Sequence, residues 1–454
     1  MKLKHLYPIL AGALSLTSLP AYNQTQPQTE TPEQKAQRME WFSHAKLGIF
    51  IHWGIYSKGD DSESWPIFNG RISVEDYMKQ ADYFTAENYD PAYWAQLIKE
   101  SGAQYTVITT KHHDGFALWD TQAGDVSAVK SSPAGRDLIA PFAEEIRKQG
   151  IKLGFYYSII DWPREDYPNI LREGPARYDI DKEPERWQHF LDFNSAQLRE
   201  INEGWKPDLI WFDGDWEFSS DQWRAPEIVA LLRETNPDVI INSRIQGHGD
   251  YDTPELGVPV VQPQLRWWET CMTMNDSWGF RKGDHDYKSP MTLLRMFVDC
   301  ISLGGNLLLD IGPRADGTIP DEEVALLHEF GRWTSKHAEA IYDTRAGIPA
   351  GHVAAYTSLN QAGDVLYIYL PYRPNESVEL KGLKSRVKRV RVVGDGRELD
   401  YNLYNDISWS EVPGVYYINV PDDACDERIT VLAVELDEPV KLYRGSGQVI
   451  SLNE

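Results

Sequence analysis

Short apolar runs alternate with amphipathic stretches through the first 345 residues or so of this chain. The runs fall at Leu47–His52, Tyr105–Thr110, Leu153–Ser158, Leu209–Asp213, Val239–Ser243, Val260–Gln264 and Asn306–Ile311. Each is too short for a helix and reads as a strand buried on both faces. Between most of them lie helical patterns. In PAYWAQLIKESGA, for example, Trp94, Leu97 and Ile98 recur at spacings of three and four and make one buried stripe. Gly102 and Gly150 close two of these helices, where a left-handed residue stops the turn.

Repeated β-then-α units imply a parallel sheet covered by helices, and their number favours a closed (β/α)8-like barrel of the TIM type over an open sheet. Seven strands are legible and the eighth is not, so a distorted or incomplete barrel is expected over residues 32–345. No G-x-G-x-x-G follows the first strand, which argues against dinucleotide binding. After DEEVALLHEFGRWTSKHAEAIY the pattern changes. Residues 351–454 offer VLYIYLP, SVELKGL, VKRVRVVG, GVYYINVP, DERITVLAVEL and VKLYRG, with a turn at Asp395-Gly396. This is an all-β sandwich in an otherwise α/β chain. It carries no cluster of reactive side chains and is expected to support the barrel, with carbohydrate contact as the alternative.

The first residues change the picture of where the protein works. Lys2 and Lys4 precede an apolar segment from Leu6 to Leu19, the layout of a secretory signal and too short to span a membrane. A signal over residues 1–21, a linker over 22–31 and export to a periplasmic, extracellular or lysosome-like compartment are expected. Cys271, Cys300 and Cys425 are odd in number and scattered, which indicates neither a disulfide framework nor a zinc site. The net charge of -24 would repel nucleic-acid backbones and anionic lipid, so a neutral ligand fits better.

Polar and aromatic residues gather at the ends of the strands, where a parallel β/α fold places its chemistry. DLIWFDGDW brings Asp213 and Asp215 to the end of the fourth run. FIHWGIYS brings His52, and TKHHDGF brings His112 and His113. Asp213 and Asp215 share a face by strand parity, so parity does not choose between them. Adjacent His112 and His113 should point to opposite sides of a strand and chelate poorly, which disfavours a metal. Trp faces and polar groups together suit a sugar ring, with two carboxylates to act on its glycosidic bond.

FIHWGIYS, KHHDGF, GFYYS, LIWFDGDW, WWET and GGNLLLDIGPRADGTIP together resemble glycoside hydrolase family 29, the α-L-fucosidases, over Trp41 to Thr344. The resemblance implies a retaining, cofactor-free and metal-independent exo-hydrolase of fucosylated glycans. It implies Asp213 as nucleophile and Glu269 of WWET as acid/base, with Glu217 and Asp276 as alternatives. Its sugar-binding positions carry over as His52, Trp65, His112, His113, Tyr157, Trp211 and Arg244. Trp278 is added as a residue lining the site near the sugar methyl or the leaving group. Glu63 departs from the family's order beside Trp65. An α-L-galactosidase or a non-catalytic carbohydrate-binding protein are the competing readings.

Overall fold

The computed structural model describes residues 30–169, 171–263, 265–407 and 409–447. The expected signal segment, residues 22–29 of the expected linker and residues 448–454 lie outside the described residues. The chain divides into a short unit ending at Gln37, whose described part enters the helix Pro32–Arg38, and a unit from Arg38 onward that holds every strand of the described residues.

Seven strands form one parallel sheet: β1 (Leu47–Ile51), β2 (Tyr105–Lys111), β3 (Lys152–Ser158), β4 (Leu209–Asp213), β5 (Ile240–Ile241), β6 (Glu269–Thr273) and β7 (Asn306–Ile311). Their order is β5-β4-β3-β2-β1-β7-β6, each pair parallel. Helices Pro91–Glu100, Ile139–Lys148, Pro184–Trp205 and Pro290–Ser302 lie between successive strands as the alternation requires. Successive side chains along a strand face opposite sides. Phe50, Tyr105, Val107, Tyr156, Leu209, Trp211, Ile240, Cys271 and Leu308 therefore make an inner core, whereas Ile49, Ile108, Phe155, Ile210 and Leu309 pack with the helices outside. The short helix Glu40–Ala45 closes the bottom of the interior with Phe42 and Ala45.

One expected strand is absent from its place. The described part of the Val260–Gln264 run is irregular, with Val260 96% and Val261 73% exposed. Pro259 precedes it and Pro263 falls within it, and neither has an N–H to give to a ladder. The sixth strand is instead Glu269–Thr273.

The gap between β5 and β6 is bridged by residues 251–256. Ser243 donates to the Tyr251 carbonyl (2.8 Å), Glu269 to Asp252 (3.0 Å), Cys271 to Pro254 (3.1 Å), and Leu256 to Cys271 (3.0 Å). The parallel sheet thus closes as a distorted barrel. Pro254 interrupts this segment's donors and keeps it from being a regular eighth strand.

The C-terminal part has strands β8 (Thr344–Ala346), β9 (Tyr356–Asn360), β10 (Val365–Leu370), β11 (Val378–Lys381), β12 (Val387–Val392), β13 (Tyr401–Tyr404), β14 (Val415–Ile418) and β15 (Thr430–Leu436). They form antiparallel sheets of order β12-β15-β10-β9-β8 and β11-β14-β13. Leu366, Ile368 and Val434 of the larger sheet share a core with Leu380 and Ile418 of the smaller. The other face of the larger sheet is also buried. Tyr367, Tyr369, Val431 and Ala433 join the outer barrel core, and Trp333 of the helix Asp321–Lys336 donates to the Ile429 carbonyl at 2.9 Å.

Candidate active site

The carboxyl ends of β1 to β4 open on a cavity of about 360 Å³. Of the residues expected from the sequence, His52, Trp65, His112, Trp211, Asp213, Arg244 and Trp278 line it. Phe50, Tyr156, Trp216, Glu255 and Cys271 line it as well.

Asp213 ends β4 and is almost fully buried. Its carboxylate accepts from the Tyr156 hydroxyl at 2.9 Å and from Arg244 Nη1 at 3.2 Å. His113 Nε2 lies 3.6 Å away, buried and without a hydrogen-bond partner among the described residues. Asp215 is turned elsewhere: its side chain accepts the Gln246 N–H at 2.6 Å and ties the loop after β4 to the loop after β5. Strand parity did not separate the two because the strand ends at Asp213, and Gly214 (φ 94°) redirects the chain.

The histidines are held by hydrogen bonds. His112 pairs with the Ser64 hydroxyl, His113 with that of Ser158, both at 2.6 Å, and His52 Nδ1 with Asp310 at 2.7 Å. The rings of His112 and His113 lie 4.3 Å apart instead of on opposite faces, because both follow β2 in a turn completed by Gly115 (φ 72°). Burial is the main cause that pushes the pKa of all three imidazoles down, His113 to about 3. Burial likewise pushes the Asp310 carboxyl up. The His52–Asp310 contact is a buried hydrogen bond.

Three residues named from the sequence do not line the cavity: His113, buried just behind it beside Asp213, Tyr157 and Glu269. Tyr157 points outward from β3, where its hydroxyl donates to Asn194 at 2.8 Å and accepts from Lys111 at 3.0 Å. The inward residue is its neighbour Tyr156, register partner of Trp211. Glu269 opens β6 at the end of the barrel away from the cavity and is fully buried. It accepts from the Tyr105 hydroxyl at 2.6 Å and from the Trp211 indole N–H at 2.8 Å. Burial pushes its carboxyl up to about 7, against the opposing effect of those hydrogen bonds.

The alternative acids Glu217 and Asp276, and Glu63 beside Trp65, do not line the cavity either. Glu217 accepts from Trp162 (3.0 Å), Tyr167 (2.7 Å) and Asn169 (2.9 Å), and Glu63 accepts the Gly279 N–H at 2.7 Å. Asp276 is exposed, and its N–H donates to Asp284.

The carboxyl that does reach the cavity beside Asp213 is Glu255. It belongs to the segment that closes the barrel, and Arg244 Nη2 donates to it at 2.5 Å while Nη1 holds Asp213. Burial opposes the guanidinium charge, but Asp213, with Cys271 and Glu255, holds the Arg244 pKa above its usual value. Two carboxylates thus sit on the two ends of one guanidinium fork at the cavity, which brings together a carboxyl pair of the kind that acts on glycosidic bonds. No strand periodicity surrounds Glu255, so the sequence carried no signal for it. Tyr156 could have been found from the parity of β3 against β4.

Comparison with known proteins finds α-L-fucosidases. The α-L-fucosidase family profile matches residues 14–339. Mouse tissue α-L-fucosidase is 30% identical over 407 residues, covering 82% of this chain and 85% of that protein. α-L-fucosidase isoenzyme 1 from Paenibacillus thiaminolyticus superposes with a TM-score of 0.80 at 34% identity, covering 89% of this chain and all of that one. A family 29 α-L-fucosidase of Bacteroides thetaiotaomicron, solved as a trapped covalent intermediate with 2-fluoro-fucosyl fluoride, has a TM-score of 0.77 at 26% identity, covering 88% and 96%.

Proposed function

The chain belongs to the α-L-fucosidase family, glycoside hydrolase family 29, and from that premise we propose that it releases terminal α-L-fucose from fucosylated glycans with Asp213 as nucleophile and Glu255 as acid/base. The reaction proceeds with retention, through a glycosyl-enzyme of the kind trapped in the Bacteroides relative. The observation that carries the assignment is the Arg244 fork, which holds these two carboxylates, and no other pair among the described residues, at the cavity.

Asp213 attacks the anomeric carbon, and the bond from that carbon to the leaving oxygen breaks as Glu255 gives that oxygen its proton. Arg244 occupies Oε2 of Glu255, so the proton travels on the other oxygen. Water then attacks the same carbon, Glu255 takes the water's proton, and Asp213 is released. Tyr156 and Arg244 steady the Asp213 carboxylate before attack and as it leaves. The neutral imidazoles of His52, His112 and His113 bond sugar hydroxyls, and His113 Nε2 beside Asp213 meets one near the anomeric carbon. The apolar corner of Phe50 and Trp278, ring centroids 6.1 Å apart, takes the sugar methyl. The charged N-terminus followed by an apolar run supports work in an exported compartment.

Glu255→Ala tests the acid/base assignment. Loss of general acid catalysis should slow hydrolysis of a fucosyl disaccharide by about 10²–10⁴-fold. Aryl fucosides with acidic phenols should suffer far less, because they leave without a proton. Azide should enter on the face that Glu255 serves and give α-L-fucosyl azide. Unchanged disaccharide turnover would refute the assignment.

A further inference from the structure

We propose that Glu269 is a positioning residue for this reaction, acting through Trp211, whose indole it anchors from the far end of the barrel. Trp211 is long enough to touch both ends of the inner core. Its ring lines the cavity, and its N–H points down to Glu269 at 2.8 Å. Both groups that hold the Asp213 carboxylate lean on that ring. The Arg244 guanidinium lies 4.6 Å from its centroid, and the Tyr156 ring stacks on it at 5.6 Å and 19°. A tilt of the indole would therefore move Tyr156 and Arg244 together, and with them the orientation of Asp213 and Glu255.

The anchor is itself built in. Tyr105 fixes the other oxygen of Glu269 at 2.6 Å, and its ring occupies the space where a side chain at Gly48 would be, since a Cβ there would lie 2.4 Å from the ring. Phe42 of the floor helix packs on Tyr105 at 5.8 Å and on Tyr251 at 4.5 Å. Glu269 touches neither cavity nor substrate, so it acts by holding and not by transferring a proton.

The inference rests on Asp213 and Glu255 as the reacting pair, and its test separates the two. Glu269→Gln keeps an acceptor for the indole and should retain kcat/KM on an aryl fucoside within about threefold, whereas Glu269→Leu strands two buried donors and should lose about tenfold or more. The loss should be non-additive with Trp211→Phe, because both changes break one contact. Wild-type kinetics in a folded Glu269→Leu variant would overturn the proposal and leave the Asp213–Glu255 reading intact. Selective loss of disaccharide hydrolysis in Glu269→Gln, with fucosyl azide formed on adding azide, would make Glu269 the acid/base and overturn both.

A second measurement does not depend on Glu269→Leu folding. The Trp211 indole N–H signal in the wild-type NMR spectrum, assigned by its loss in Trp211→Phe, should shift with pH around 7 as Glu269 titrates. The other ionisable groups facing that carboxyl are Tyr105, Tyr251, Cys271 and Arg244, and all four are held above their usual values. An indole signal at the shift of a free N–H, unchanged between the wild type and Glu269→Gln, would overturn the anchor.

Discussion

Tyr156 donates a 2.9 Å hydrogen bond to Asp213, while Tyr157, one residue on, reaches the helix outside the barrel. Strand parity thus separates two identical side chains into one that serves the nucleophile and one that serves packing. Tyr156→Phe should lower kcat about tenfold or more, the scale of a lost hydrogen bond to a charged group, with little change in thermal stability. Tyr157→Phe should do the reverse, because it leaves Lys111 and Asn194 short of a partner. Steady-state kinetics and thermal unfolding of both variants decide it. Equal kinetic losses would contradict the assignment.

Glu269 makes stability depend on pH in a stated direction. Its carboxyl is raised from 4.5 to about 7 in the fold, so between those values the native protein keeps a proton that the unfolded chain has released. Stability therefore falls as pH rises from about 4.5 and levels off above about 7, by about 3 kcal/mol for this group. Glu269→Gln removes that slope. The Tm of the variant should gain on the wild type between pH 5 and 7, and parallel curves would contradict the buried acid.

The C-terminal sheets should not be removable. Tyr367, Tyr369 and Val431 are buried against the outer barrel core, and Trp333 bonds the Ile429 carbonyl. A chain ending at Ala350 would expose this apolar face to water and should fail to give a folded monomer. Circular dichroism and gel filtration of the truncated chain test this, and a folded, active truncation would contradict it.

Much of the fold was legible because β1, β2, β4 and β7 are uniformly buried runs flanked by helices with a plain apolar stripe. The rest was hidden for identifiable reasons. β5 is only two residues long, β6 carries Glu269, Thr270 and Thr273 among its five positions, and the closing segment holds Pro254. The exposed Val260-Val261 pair then looked more like a strand than the real one. In the candidate site, residues on strand ends or in motifs were visible, as with His52, His112, Asp213 and Arg244. Glu255 was not, because its place depends on hydrogen bonds between β6 and a segment with no periodicity.

The nucleophile is the centre of this account, and covalent labelling tests it most directly. The Glu255→Gln variant, treated with 2-deoxy-2-fluoro-L-fucosyl fluoride and digested, should carry the fluorofucosyl mass on the peptide containing DLIWFDGDW. Fragmentation should place it on Asp213. A label on Asp215, on Glu269 or outside this peptide would contradict the account.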